Sequence, residues 1–225
     1  IAKGYSKTEN FMVDVNGAPM HSDSGSYTVS PVTSDIVVTV FGVADITPPA
    51  AEITISTNKF NSFMNTITFG LFFKETQNVT VIASDNSGGQ VKIEYLLSQK
   101  ELTEEELANA AFKDYAEFGI DPDNEYIIYV RLTDDAGNVS YICSEGIVLD
   151  GTVPIIGGIE NGRTYCEAQT VTVEDKYIGS VAVNGKEIAL DENGRFVLEP
   201  SQGEQKITVT DKAGNVSEAT VTVNF

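Results

Sequence analysis

Tryptophan is absent from this 225-residue chain, histidine occurs once and cysteine twice. Each shortage weighs against a class of function. Without Trp, the side chain best suited to an aromatic sugar platform is missing. With His21 alone, a Ser–His–Asp arrangement can be assembled only on paper, within Pro-Met-His-Ser-Asp, and a solitary surface histidine is the simpler reading. Cys143 and Cys166 are too few for a disulfide framework, and linker placement puts them in different domains. Two reduced thiols, packed as small hydrophobes, are therefore expected. No apolar run reaches membrane-spanning length, so no helical membrane insertion is expected. Nothing at the start reads as an export signal, and such a signal is expected upstream of Ile1.

Positive charge is scarce as well. The 14 Lys and Arg stand against 33 Asp and Glu, for a formal charge of −19. Nucleic acids and anionic membrane surfaces are bound by clustered basic residues, so both are excluded as partners. Acids spread along the chain read as solubility and self-repulsion. No Gly-rich phosphate loop, nucleophile elbow or HExxH helix occurs. Counting acids does not separate paired carboxylates of the glycosidase kind from ordinary surface charge. The expectation is a non-enzyme, with no catalytic, cofactor-binding or metal-binding residue and no cofactor.

What the chain has is period-2 alternation. Tyr126, Ile128, Val130 and Leu132 share one face of a half-buried strand. Thr170–Val173, Ser180–Val183, Lys206–Thr210 and Thr220–Val223 alternate in the same way. Their β-branched residues suit pleated surfaces, and Gly, Asn and Asp turns separate them, which predicts β-sandwiches. One segment breaks the pattern. Thr103 with Glu106 forms a capping box, Leu102 and Leu107 form a hydrophobic staple, and a helix is expected over about 103–112. The run Glu104-Glu105-Glu106 is charge placed at a helix N-terminus, not acid/base chemistry.

Thr47-Pro48-Pro49 and Asp150-Gly151-Thr152-Val153-Pro154 read as short, semi-rigid joints. They divide the chain into 1–46, 47–151 and 152–225. The octapeptide Thr133-Asp-Asp-Ala-Gly-Asn-Val-Ser140 returns as Thr210-Asp-Lys-Ala-Gly-Asn-Val-Ser217, each between two alternating runs, and so each is a hairpin. Val13-Asp-Val-Asn-Gly17 echoes Val181-Ala-Val-Asn-Gly185. Beyond it Gly25, Tyr27, Val29, Pro31, Val38 and Val40 match Gly194, Phe196, Leu198, Pro200, Ile207 and Val209 at constant offset. Nothing before Val13 matches Thr170–Val173, so 1–46 is expected to be the C-terminal part of a truncated domain. Gly42-Val43-Ala44-Asp45 stands where the hairpin motif would be, and the last hairpin of that segment is expected to be absent.

The DxAGNVS hairpins, the VxVNG turns, the ending Ser34–Val40 and the block from Asn65 to Leu71 running on to Glu94-Tyr95 resemble the Ig-like repeats of Gram-positive surface and secreted proteins. The resemblance covers nearly the whole chain. It implies an all-β protein of tandem immunoglobulin-like antiparallel β-sandwiches, with one short helix in the middle domain. It also implies an extracellular setting, secreted or cell-wall anchored. The expected partners are neighbouring domains of the full-length protein and a host protein or glycan, with the chain itself monomeric.

Asp134, Asp135, Asp211, Asp121, Asp123, Asn124 and the linker acids Asp45 and Asp150 could offer oxygens to calcium. None follows EF-hand spacing, and turn formation explains them without metal. Asn78, Asn138 and Asn215 open Asn-x-Ser/Thr sequences, two of them inside the hairpin repeat. Phe60, Phe63, Phe69, Phe72 and Phe73 read as core plus a domain interface. Two functions remain: a non-catalytic spacer or adhesive stalk, and a carbohydrate-binding accessory module of a secreted glycan-degrading enzyme.

Overall fold

The alternating runs become strands, and outward-facing Thr beside inward-facing Val decides which way each strand turns. The computed structural model describes residues 1–22, 24–63 and 66–224. In the first segment β1 (Tyr5–Val15), β2 (Ala18–Met20) and β3 (Val38–Asp45) form one antiparallel sheet in the order β2-β1-β3. The middle segment holds β4 (Ala50–Ile55), β5 (Asn58–Phe60), β6 (Leu71–Phe73), β7 (Gln77–Ser84), β8 (Val91–Ser98), helix α1 (Glu104–Ala108), β9 (Lys113–Asp114), β10 (Phe118–Ile120), β11 (Asn124–Asp134), β12 (Val139–Cys143) and β13 (Ile147–Leu149). The third holds β14 (Ile155–Gly157), β15 (Thr164–Tyr165), β16 (Gln169–Glu174), β17 (Ile178–Val183), β18 (Lys186–Glu187), β19 (Arg195–Leu198), β20 (Glu204–Asp211) and β21 (Val216–Val223).

The middle and third segments are built on one plan. Sheet β10-β7-β4-β5 faces sheet β6-β13-β11-β8-β9, and sheet β14-β16-β19 faces sheet β15-β21-β20-β17-β18. In each, a short edge strand runs parallel to the last strand, β6 beside β13 and β15 beside β21. This is the immunoglobulin-like sandwich. Ile53, Ile55, Val79 and Val81 from one sheet meet Ile128, Val130, Leu132 and Ile147 from the other. Val171, Val173 and Leu198 meet Val181, Ile207, Val209 and Val221 in the same way. Each such side chain contributes about 1.5–3 kcal/mol by leaving water.

The echo between the ends of the chain is a true register. Val13 pairs with Val40 and Val15 with Val38, as Val181 pairs with Val209 and Val183 with Ile207. The Asn16-Gly17 and Asn184-Gly185 turns have positive φ at both residues, which a type I′ hairpin requires. Asn16 and Asn184 each accept from a backbone N–H across the sheet, Val37 and Lys206 respectively, both at 2.8 Å. In the first segment β3 leaves Val38, Val40, Phe41 and Val43 substantially exposed.

Three expectations change. β11 is not half-buried: Ile127 and Tyr129, on its other face, are as enclosed as Ile128 and Val130. They pack under Leu107, Phe63, Phe69 and Leu102, so α1 and these phenylalanines form an extra layer outside the sandwich. The capping box is present, but α1 stops at Ala108. The Asn109 side chain donates to the Glu105 carbonyl, and Lys113 must turn extended to pair with Tyr95. Cys143 is buried as expected, whereas Cys166 is exposed beyond the end of β15; no disulfide joins them. Asn65 and Asp23 lie outside the described residues.

Candidate functional site

The repeated octapeptide turns out to clasp the joints. Asp134 closes β11, and its two carboxylate oxygens accept from the Asn138 N–H and the Asn138 side-chain amide, both at 2.8 Å. That amide also donates to the Asp45 carbonyl at 3.2 Å, and the Ser140 hydroxyl donates to the Pro49 carbonyl. The motif at the end of one sandwich therefore grips the linker that enters the same sandwich. The second copy does the same. Asp211 accepts from Asn215 twice at 2.8 Å, the Asn215 amide donates to the Asp150 carbonyl at 2.7 Å, and the Ser217 hydroxyl donates to the Pro154 carbonyl. Asn138 and Asn215 are thus engaged in structure, Asn215 in a buried position.

The clasps gather acids. Carboxylate oxygens of Asp45, Asp85 and Asp134 lie within 4.8 Å of one another, and so do those of Asp150, Asp175 and Asp211. Four of these six were among the sequence candidates; Asp85 and Asp175 were not. Their signal was positional, because each is the residue that follows an inward-alternating strand, β7 or β16. Asp121 and Asn124 take no part. Asp135 accepts from the Gln90 N–H, and Asp123 accepts from the Gly151 N–H and the Thr152 hydroxyl at 3.1 Å each. His21 is exposed and, among the described residues, joins no such cluster.

The two clusters differ in environment. Asp85 is held below the usual carboxylate range by the Ser87 hydroxyl and N–H. Asp150 and Asp175 are pushed up, first by burial and then by neighbouring aspartates. The second joint is also braced across the two sandwiches. Glu125 accepts from the Lys176 ammonium and the Tyr177 hydroxyl. The Tyr177 ring meets Phe72 edge-on at 5.3 Å, and Lys212 lies over Phe72. Phe72 thus supplies the interface expected of the phenylalanine cluster, while Phe60 and Phe73 join one core and Phe63 and Phe69 the other. Beside this brace a cleft of about 700 Å³ opens, lined among others by Asp123, Asp150, Asp175 and Tyr177.

Residues 152–225 match the family model of glucodextranase, domain B. Comparison with curated proteins returned no match. Among solved structures, the chain is similar to the fibronectin(III)-like modules of Clostridium thermocellum CbhA, at 12% identity over 76% of this chain and 94% of that one, with a TM-score of 0.33. It is also similar to SGBP-B of the Bacteroides ovatus mixed-linkage glucan utilization locus, in complex with a mixed-linkage heptasaccharide, at 14% identity and a TM-score of 0.24. That likeness covers 99% of this chain and 60% of the Bacteroides chain. Immunoglobulin domains 1–4 of Sidekick-1 give 14% identity over 95% of this chain and 65% of that one, again with a TM-score of 0.24.

Proposed function

We propose that the chain is a run of non-catalytic spacer modules, 1–46, 47–151 and 152–225, in a secreted or cell-wall-attached protein. Its work is to hold neighbouring domains, and an adhesive contact with a host protein or glycan, at a set distance. The observation that carries this reading is the paired clasp. The same Asn and Ser of each hairpin hold the backbone of the preceding linker, with the Asp fixing the Asn, so both joints are stiffened by one device. A spacer needs that property, and a catalyst or a closed ligand pocket does not.

Small-angle scattering tests it. Three modules end to end give a rod of about 90 Å and a radius of gyration of about 26 Å. A compact globule of this length would give about 17 Å. A measured value below about 20 Å removes the spacer mechanism.

A second reading, an accessory module of a glycan-acting protein, is supported by the match of 152–225 to domain B of glucodextranase. A selective micromolar hit on a glycan array would favour it over the spacer. The spacer reading expects nothing tighter than millimolar, in keeping with the absence of Trp.

A further inference from the structure

We propose that residues 1–46 carry a strand-accepting face, filled by a strand of the same polypeptide ahead of Ile1 in the place that β16 holds in the third sandwich. The register common to the two ends of the chain shows what covers such a face. In the third sandwich Ile207 and Val209 of β20 are 0% exposed, packed with Val171 and Val173 of β16. Their counterparts in β3, Val38 and Val40, are 52% and 49% exposed. Among the described residues, β1 and β2 lie beside them in one sheet and no second sheet lies over them. A contiguous apolar sheet face left open to water is a surface built for another element to pack on.

Two further observations define the occupant. Residues 26–29 are the counterpart of β19, which pairs antiparallel with β16, Phe196 opposite Val171 and Val197 opposite Thr170. They keep the alternation of β19, with Tyr27 and Val29 half-buried and Ser26 and Thr28 exposed. Yet among the described residues no backbone N–H of Tyr27, Thr28 or Val29 donates a hydrogen bond. An extended stretch with unpaired backbone groups is an edge that accepts a strand. The chain also arrives from the right side. The Tyr5 N–H donates to the Ala2 carbonyl at 3.3 Å, and Gly4 has a φ of +93°, the left-handed value a type II turn needs there. This turn reverses the chain, so the polypeptide leading into Ile1 runs back against β1. Ile1 and Ala2 accordingly line a groove of about 480 Å³ with Tyr5, Tyr27, Val40 and Val43. In the third sandwich residues 175–177 connect β16 to β17 at the matching corner. The strand that fits alternates β-branched apolar and polar residues, as residues 170–173 do, with its apolar side toward Tyr27, Val38 and Val40. The clasps at the two joints do not depend on this face, so the spacer reading stands or falls separately.

The experiment adds a probe strand to the full chain. A copy of Glu-Ala-Gln-Thr-Val-Thr-Val-Glu, residues 167–174, is fused directly ahead of Ile1, so that residues 1–4 form the connection. Hydrogen exchange in the 26–29 stretch and in β3 should slow by about tenfold or more. Val171→Asp with Val173→Asp, made in the added copy alone, should return exchange to that of the unaltered chain, because a carboxylate does not enter an apolar face. The third sandwich keeps its own β16 and should melt unchanged in both fusions. Sedimentation of the unaltered chain reads the competing occupant, a second copy, and should show a monomer. Equal exchange with and without the added strand would overturn the proposal. So would protection that survives in the doubly substituted copy, or a dimer of the unaltered chain that is lost on Val40→Asp.

Discussion

The middle and third sandwiches share their strand order, yet 47–151 is longer than 152–225 by 105 − 74 = 31 residues. The additional chain sits on the outer face of one sheet. In the third sandwich, β20 presents Lys206 and Thr208 outward, where Lys206 pairs with Glu218 at 2.7 Å and Thr208 bonds the same carboxylate. In the middle sandwich, the equivalent strand β11 presents Ile127 and Tyr129, and both are buried. A polar outer face can meet water directly, whereas an apolar one must be covered. Helix α1 and the side chains of Phe63, Ile67 and Phe69 are that cover. The comparison teaches that topology is set by the inner face, and module size by the outer one.

Breaking the cover should have the largest effect. Tyr129→Ala removes a fully buried ring, its contact with Phe63 and the acceptor for the Leu102 N–H. A cost of about 3–5 kcal/mol is expected, seen as a lower first transition in calorimetry while the third sandwich melts unchanged. Thr208→Ala, at an outward position of β20, should stay within about 0.5 kcal/mol. Equal losses in the two variants would mean that the outer layer is not what separates the two sandwiches.

The clasps come next. Asn215→Ala leaves the buried Asp211 carboxylate and the Asp150 carbonyl without their shared donor, at a cost of about 1–3 kcal/mol. Asn138→Ala should cost less, because Asn138 is only half-buried and water can replace its amide. Hydrogen exchange at residues 150–154 and 45–49 reads each joint separately. Unchanged protection at 150–154 in Asn215→Ala would dissolve the claim that the hairpin motif holds the linker.

Most of this architecture is legible in single residues. The Thr/Val alternation places the strands, Asn-Gly places the turns, and the Val13/Val181 echo identifies a register that the structure reproduces pair by pair. The outer layer was legible too, since Ile127 and Tyr129 are apolar at positions a half-buried strand would leave polar. Reading only the inward set Tyr126, Ile128, Val130 and Leu132 hid that signal. The clasps were not legible, and neither was the grouping of the acids into triads, although four of the six aspartates stand out in the sequence. Asp134, Asn138 and Ser140 look like ordinary turn formers, and their contacts lie 89 to 93 residues away, with Asp45 and Pro49. Local turn chemistry and long-range gripping use the same residue types, so only the fold separates them.

The smallest difference lies in the outer ion pairs, and pH resolves it. In the middle sandwich, Arg131 donates to Glu94 at 2.9 Å, with the Glu94 side chain 9% exposed. In the third, Lys206 and Glu218 are each about half exposed, 53% and 49%, where such pairs contribute about 0–1 kcal/mol. The Arg131 guanidinium, helped by Lys92, holds the Glu94 carboxyl below the usual glutamate range against the opposing effect of burial. A carboxyl depressed in the folded state adds stability that is complete above its unfolded value, near 4.5, and is lost as pH falls through the folded value. Glu94→Gln should therefore cost about 1–2 kcal/mol at neutral pH and progressively less in acid, so that its middle-sandwich transition converges on that of the unaltered chain. Glu218→Gln should move the third transition by less than half as much at neutral pH. Parallel curves for Glu94→Gln and the unaltered chain from pH 7 to about 3 would show that the buried pair contributes no more than the exposed one.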